Sequence, residues 1–185
     1  MTKKDQNSWK YWQFFWRSWA IQASWNYERQ MNMGFMYGIA PIIDKIYDKP
    51  EDKQKKIDAY ERHMAYYNCT PQTSSFVLGL TASMEEQYAE DQENFNPETI
   101  SALKTSLMGP LSGIGDSFFQ GTIRVLAFGF GINLAQQGSI LGPILAIIIS
   151  FIPSFFVTYY GGKIGYNTGN KYLAKLYQEG LMDKV

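Results

Sequence analysis

The sequence predicts an all-α integral membrane protein with two regions, and two features of its 185 residues carry that prediction. The first is charge: between residues 105 and 162 only Asp116 and Arg124 are charged, although the chain has 17 basic and 17 acidic side chains. The second is a stripe of tryptophans near the N-terminus. We expect an amphipathic and polar helical region over residues 1–104 and a membrane-embedded region over residues 105–185.

The tryptophan stripe predicts an amphipathic helix over residues 8–20 that lies in the membrane interface. Trp9, Trp12, Trp16 and Trp19 are spaced 3, 4 and 3 residues apart, which places them on one helical face. Tryptophan prefers the headgroup layer, because its ring is apolar while its N–H stays hydrated. The alternatives are contact with another membrane subunit and a core helix of a soluble protein.

A polar helical region follows this stripe. Residues 44–62 carry six acidic and six basic side chains, so we expect them to face solvent. Residues 63–103 contain no Lys or Arg, and the six acidic residues from 85 to 98 predict a solvated acidic loop. Asn96-Pro97-Glu98 is a favourable helix start, with a cap, a proline at the first position and an acid in the first turn. That helix is expected to end near Gly109-Pro110.

The glycine-rich segment over residues 105–135 is predicted to be broken or re-entrant rather than a straight helix, because glycine disfavours helix. Irregular backbone at membrane depth is tolerated where protein or a wet cavity covers it. We expect a non-helical break over residues 109–116. Asp116 would either cap a helix start or bond to Arg124, because an unpaired charge at that depth is costly.

Residues 139–162 are predicted to form a transmembrane helix. These 24 residues carry no charge. As a helix they would reach about 36 Å, which crosses the hydrocarbon core of a bilayer. The segment would form a hairpin with the preceding one, and the positive-inside rule places its uncharged tip at residues 136–138 outside the cell. The alternative is a buried helix of a soluble protein.

Five glycines are predicted to have structural roles. Gly161, Gly165 and Gly169 recur every four residues and make a smooth face on which another helix can approach closely. The alternative for these three is a flexible exit from the membrane. Gly113 and Gly115 precede Asp116, where they would let the backbone leave helical geometry.

Trp25, Asn26 and Glu28 are the candidate substrate-binding residues. An aromatic ring can stack on the apolar face of a sugar, while a carboxylate and an amide bond its hydroxyl groups. The alternative is an ordinary surface formed by Glu28 and Arg29, with Trp25 packed beneath it.

The composition excludes several other functions. A net charge of zero argues against a nucleic-acid surface, and one cysteine with one histidine cannot form a structural zinc site. The sequence has no Walker loop, no Gly-x-Ser-x-Gly elbow and no His-Glu-x-x-His helix. We therefore expect no catalytic residue, no metal and no cofactor.

The most specific motif is Met108-Gly109-Pro110-Leu111-Ser112-Gly113-Ile114-Gly115-Asp116-Ser117, followed by Phe119, Gly121-Thr122 and Arg124. It resembles the signature of the IID membrane subunit of mannose/fructose/sorbose-type phosphoenolpyruvate-dependent phosphotransferase systems. Further segments are similar to the same family: Ser24-Trp25-Asn26-Tyr27-Glu28-Arg29, Gln137-Gly138, Leu141-Gly142-Pro143, Tyr159-Tyr160-Gly161 and Gly165-Tyr166. Members usually carry His-Pro where this chain has Cys69-Thr70-Pro71, and they usually continue for many tens of residues beyond the position of Val185.

The resemblance implies a subunit of the bacterial plasma membrane, set in the lipid bilayer by several or re-entrant segments. It would pair with a IIC membrane subunit and translocate a hexose of the mannose/glucose class. Soluble IIA and IIB partners would carry the phosphoryl group to the sugar, so the IID chain is expected to be a transport subunit and not an enzyme. Complexes of this family also serve as docking sites for some bacteriocins, a role that the sequence alone does not assign.

Two functions of other classes stay open at this point. One is a monotopic membrane-anchored scaffold without transport activity, and the other is a soluble helical protein that binds an apolar ligand. Asp116 and Arg124 argue against the scaffold, because charges inside an apolar segment usually mark a pathway or a buried pair.

Overall fold

The computed structural model describes the backbone of residues 3–178 and the side chains of residues 7–169. The described backbone contains helices and no strand longer than an isolated bridge, which confirms the all-α prediction. The elements in chain order are α1 (Lys3–Ser18), α2 (Asn32–Ile46), α3 (Lys53–His63) after a short 3-10 turn (Pro50–Asp52), α4 (Pro71–Glu90), α5 (Glu98–Gly115), a π-helical segment (Asp116–Ile123), α6 (Arg124–Gln136) and α7 (Leu141–Gln178).

α5, the π-helical segment and α6 form one continuous helix, so the predicted break over residues 109–116 is wrong. The helix also does not end near Gly109-Pro110, although it begins at Glu98 as expected, with the Glu98 amide donating to Asn96 Oδ1 at 2.9 Å. The backbone departs from α geometry only from Asp116 onward, where it widens. A π-helical turn keeps backbone groups hydrogen-bonded, which a fully broken segment at membrane depth would not do by itself.

Two helices are long and apolar enough to cross a membrane. They are Glu98–Gln136 and Leu141–Gly169, with mean hydropathies of 1.2 and 2.1 over their most apolar windows. Only 17% of each window is buried within the chain, so most of this apolar surface faces outward. Burial in a soluble core therefore does not explain these helices, and the membrane assignment is confirmed.

α6 and α7 form a tight hairpin. The connecting turn includes Gly138, whose φ of 76° is a left-handed conformation that suits glycine. Gly131 and Gly142 face one another across the hairpin, and a Cβ on Gly131 would lie 2.9 Å from the Ala146 Cβ and 3.2 Å from the Gly142 carbonyl oxygen. Glycine at these positions lets the two helices approach closely.

α4 packs on α7 through two facing rows of small residues. Ser75, Gly79 and Ser83 recur every four residues on α4, and Gly161, Gly165 and Gly169 do so on α7. A Cβ built on any of these four glycines would lie less than 3.0 Å from an atom of the opposite helix. The two backbones are therefore in contact, and only glycine and serine in these rows are small enough to allow it.

The main hydrophobic core lies where α2 meets α1 and α4. Its largest fully buried side chains are Phe14, Ile21, Phe35, Ile39, Ile42, Ile43, Tyr67 and Leu78. α1 buries Phe14 and Phe15 inside the protein, whereas Trp12 and Trp16, and Trp19 directly after the helix, are partly exposed. The amphipathic character of the N-terminal helix is thus confirmed, although it ends at Ser18. Its position in a membrane interface stays a prediction.

The predicted acidic loop is wrong for its first half, because residues 85–90 belong to α4 and only residues 91–97 form the loop. Glu85 is fully buried and accepts two hydrogen bonds from the Arg62 guanidinium, at 2.7 and 3.0 Å. His63 Nε2 lies 2.9 Å from Glu85 Oε1. Burial raises the pKa of Glu85, but the bonds from His63 and Arg62 outweigh burial and lower the pKa overall. Burial lowers the pKa of His63, so the neutral ring donates to Glu85.

A second polar contact joins three helices. Lys10 of α1 lies 2.7 Å from Glu86 Oε1 on α4 and donates to the Tyr166 hydroxyl of α7 at 2.7 Å. Tyr166 in turn donates to Glu86. Since these groups are largely shielded from water, the three-way contact fixes the position of α1 against the α4–α7 pair.

We expect Gly165→Ala to destabilise the protein, because the added methyl group would meet the Phe76 carbonyl oxygen on the backbone of α4. Overpacking of this kind costs about 1–3 kcal/mol. The measurement is the thermal unfolding midpoint of the detergent-purified chain. Gly129→Ala on α6 is the matched control, because a Cβ there meets nothing within 4 Å. Equal midpoints for both variants would contradict the close approach of α4 and α7.

Candidate functional site

A cavity of about 770 Å³ opens between the end of α1, the start of α4, the π-helical segment and α7. Its lining is mainly polar, with one indole ring: Ser18, Trp19, Gln22, Pro71, Gln72, Asp116, Gln120, Arg124 and Thr158. We call it the π-segment cavity. Its volume falls within the range of roughly 300–1,000 Å³ that is usual for small-molecule sites.

Three polar side chains at or directly after the π-helical segment line this cavity. Asp116 and Gln120 belong to the segment and Arg124 begins α6, and their four-residue spacing brings all three to the same cavity. Their helix is one of the two candidate spans, and from residue 105 to its end Asp116 and Arg124 are its only charged residues. Polar and charged groups at membrane depth usually face a cavity or a pathway, and π-helical turns are frequent at functional sites.

Asp116 is held by the start of α4. The Thr70 hydroxyl, just before α4, donates to Asp116 Oδ1 at 2.8 Å. Gly115 makes this contact possible, since a Cβ there would collide with the Thr70 side chain. Asp116 and Arg124 line the same cavity but form no ion pair within the described residues, so the predicted bond between them is not present in this structure.

Two amide oxygens of the cavity wall have no hydrogen-bond donor among the described residues. They are the Oε1 atoms of Gln72 and Gln120, and both are buried. The Gln72 amide nitrogen makes one long bond, to Ser154 Oγ at 3.4 Å. A buried carbonyl oxygen without a donor costs about 1–3 kcal/mol, so such groups usually have a partner that the protein itself does not supply.

Trp25, Asn26 and Glu28 lie outside the π-segment cavity, in the connection between α1 and α2. This connection is not a helix but a turn closed by a bridge between Asn26 and Gln30. The Asn26 side chain competes with helix formation, because its Oδ1 accepts from the Arg29 amide at 2.8 Å.

The side chains of these three residues face different surroundings. The Asn26 amide donates to Asn32 Oδ1 at 3.0 Å, so it is already partnered. Glu28 is largely exposed and lies 3.5 Å from Arg29 Nε. The Trp25 ring is partly exposed and packs edge-on against Tyr27. The three side chains thus have different partners, and their role in binding stays a prediction.

The glycines that the sequence singles out differ in their surroundings. Gly161, Gly165 and Gly169 face α4, and Gly115 faces Thr70. Gly113 leaves open space where its side chain would be, since a Cβ built on it meets no atom within 4 Å. A packing role for Gly113 stays a prediction.

Sequence reasoning missed Gln72, Gln120 and Trp19 as members of one site. Gln120 could have been found, because it stands four residues after Asp116 and four before Arg124 in an apolar segment. Gln72 and Trp19 gave no such signal, since only the packing of α1 and α4 against the π-helical segment brings them there.

The family comparison covers nearly the whole chain. Residues 3–185 match the model of the IID component of the mannose/fructose/sorbose family of phosphotransferase systems. The mannose-specific IID component of Escherichia coli strain K12 is 37% identical over 155 residues, which are 84% of this chain and 54% of that protein. The IID component of the fructose permease of Bacillus subtilis strain 168 is 36% identical over 176 residues, or 95% of this chain and 61% of that protein.

Solved structures agree with these relatives. A chain from the structure of the mannose transporter ManYZ with microcin E492 superposes with a TM-score of 0.83 at 34% identity, covering 88% of this chain and 58% of that one. A second structure, described as a membrane protein, has a TM-score of 0.79 at 32% identity and covers 96% of this chain. The chain spans between half and two thirds of the length of the relatives that it matches. The resemblance seen in the sequence is confirmed: this chain belongs to the family of IID components of mannose/fructose/sorbose phosphotransferase systems.

Proposed function

We propose that the chain is the IID subunit of a bacterial sugar permease, which forms the sugar-translocating unit together with a IIC membrane subunit. The observation that carries this proposal is the family match over residues 3–185, with relatives named as mannose, fructose and sorbose components. Soluble IIA and IIB partners would pass the phosphoryl group to the arriving sugar. The IID chain then acts in transport and carries out no phosphoryl transfer.

The proposed location is the plasma membrane of a bacterial cell. It is supported by the two apolar helices, Glu98–Gln136 and Leu141–Gly169, which expose most of their surface outside the chain. Lipid tails and a IIC subunit are the two kinds of neighbour that would cover these faces. A monotopic scaffold is the weaker alternative, because it needs no charged and amide side chains around a cavity inside one of these helices.

The proposed substrate is a hexose of the mannose/glucose class. Mannose is supported by the relative in Escherichia coli, whereas the relatives from Bacillus subtilis and Klebsiella pneumoniae are named for fructose and sorbose. The π-segment cavity offers both donors and acceptors at neutral net charge, which suits a sugar better than an ion. Bacteriocin docking is a further proposal and rests only on the family, one structure of which includes a microcin.

We further propose that Trp25, Asn26 and Glu28 lie beside the translocation route, where the turn that carries them meets the partner subunit. The turn is accessible, because the Glu28 carboxylate is largely exposed and has only Arg29 as an ion-pair partner among the described residues. Arg29 itself is half-exposed, so this pair contributes little to folding stability and leaves the carboxylate available to a ligand.

Sugar uptake in a bacterial strain without its own mannose-type permease tests the proposed function. We expect the full chain, expressed with IIC, IIA and IIB subunits, to restore uptake of radiolabelled mannose. Omitting this chain alone should return uptake to the level of the empty strain. Competition with excess fructose or sorbose would identify the preferred hexose. Uptake that is equal with and without the chain would contradict the proposal and favour the scaffold.

Glu28→Gln in the same strain tests the proposed binding role of the turn. The change keeps the shape of the side chain but removes its charge, and a hydrogen bond to a charged group is worth about 1.5–3 kcal/mol. We therefore expect the KM for uptake to rise about tenfold or more. The matched control is Glu51→Gln, another exposed acid whose nearest cation is 3.8 Å away. If Glu28→Gln and Glu51→Gln have the same KM, the proposed binding role is contradicted, and Glu28 is only a surface ion-pair partner of Arg29.

A further inference from the structure

We propose that the π-segment cavity is itself a hexose-binding site of the IID chain. Gln72 and Gln120 would accept hydrogen bonds from sugar hydroxyl groups, Arg124 would donate to sugar oxygens, and Trp19 would cover one face of the ring. This inference rests on the proposed function and adds a binding site within this chain, separate from the turn that carries Glu28.

Two amide oxygens in the cavity wall lack hydrogen-bond donors among the described residues. Gln72 and Gln120 both line the cavity, and their Oε1 atoms are buried without a hydrogen-bond partner among the described residues. The two side chains come from different helices, α4 and the π-helical segment, and so converge on the cavity from two sides. In the proposed complex each terminal amide would rotate so that its oxygen faces the cavity, where a ligand hydroxyl would donate to it.

The cavity wall also offers both hydrogen-bond donors and acceptors. The Arg124 guanidinium has no ion pair or hydrogen bond among the described residues, so it is available as a donor. Asp116 carries the opposite charge in the same wall and is already held by Thr70. The two charges cancel, so the cavity selects neither an anion nor a cation. A sugar hydroxyl both donates and accepts hydrogen bonds, so sugar hydroxyl groups can pair with the Gln72 and Gln120 oxygens and with the Arg124 guanidinium.

One part of the cavity wall is a flat aromatic ring. Trp19 lines the cavity with its indole partly exposed, and its ring is stacked on Phe151 at a centroid distance of 5.8 Å. Because Phe151 stacks on the Trp19 ring, the ring is held in place, and its exposed part is a flat apolar surface on which the C–H face of a pyranose can pack. Asp116 is fixed by Thr70 and acts as a positioning residue of the π-helical segment rather than as a sugar ligand.

Direct binding of radiolabelled mannose to the detergent-purified full chain tests this proposal. We expect the double variant Gln72→Leu with Gln120→Leu to bind mannose about tenfold or more weakly, because both acceptors are lost. The matched control is Gln137→Leu, the same change in an exposed amide at the hairpin turn. Mannose affinity that is equal in the double variant and the control overturns the proposal, and so does a wild-type chain that binds no mannose.

Hydrogen–deuterium exchange of the wild-type chain gives a second test that needs no variant. Mannose should slow exchange in the peptides that cover residues 18–22, 71–72 and 116–124, and should leave α3 unchanged. The same protection in nanodiscs of phosphatidylglycerol, with no further change when mannose is added, would assign the cavity to a lipid headgroup and overturn the proposal.

Uptake measured on the same variants separates this inference from the proposed function. Chain-dependent uptake without mannose protection of the cavity overturns the cavity site alone. Mannose protection of the cavity without chain-dependent uptake overturns the proposed function alone.

Discussion

The contact between α4 and α7 is the constraint on which the other features of this chain depend. Ser75, Gly79 and Ser83 face Gly161, Gly165 and Gly169 so closely that the two backbones touch. Apolar surface gains nothing from leaving lipid for another apolar helix, so close van der Waals contact between small residues is what holds such helices together. This pair then provides the surface on which α1 is fixed by Lys10, Glu86 and Tyr166.

The position of α4 determines the π-segment cavity. Because α4 begins at Pro71, Thr70 is placed beside the glycine-rich part of α5, and its hydroxyl reaches Asp116. The same start of α4 carries Gln72 into the cavity, opposite Gln120. The helix that holds Asp116 remains hydrogen-bonded by widening into a π-helical segment instead of breaking. Fold and candidate site are therefore linked through one junction, where residues 70–72 meet residues 115–120.

The sequence predicted the helical class, the apolar hairpin and the glycine row of α7, because charge and small-residue spacing are local patterns. It did not predict the continuous helix across Asp116, since α5 keeps helical geometry through Gly109, Pro110, Gly113 and Gly115 despite the low helix propensity of glycine and proline. It also placed Glu85 and Glu86 in solvent, because their partners Arg62, His63 and Lys10 are distant along the chain. Gln72 and Trp19 could not be assigned to the site from the sequence, because only tertiary packing places them beside the π-helical segment.

A cysteine pair in native membranes tests the central claim most directly. Ser75→Cys and Gly161→Cys, combined with Cys69→Ser, place two thiols where the Gly161 Cβ would lie 2.5 Å from Ser75 Oγ. Mild oxidation should close a disulfide and protect both thiols from a maleimide label, since such bonds need Cβ atoms within about 3.5–4.5 Å. A pair of Ser75→Cys with Gly129→Cys on α6 should remain fully labelled. Full labelling of the Ser75–Gly161 pair after oxidation would contradict the close α4–α7 contact.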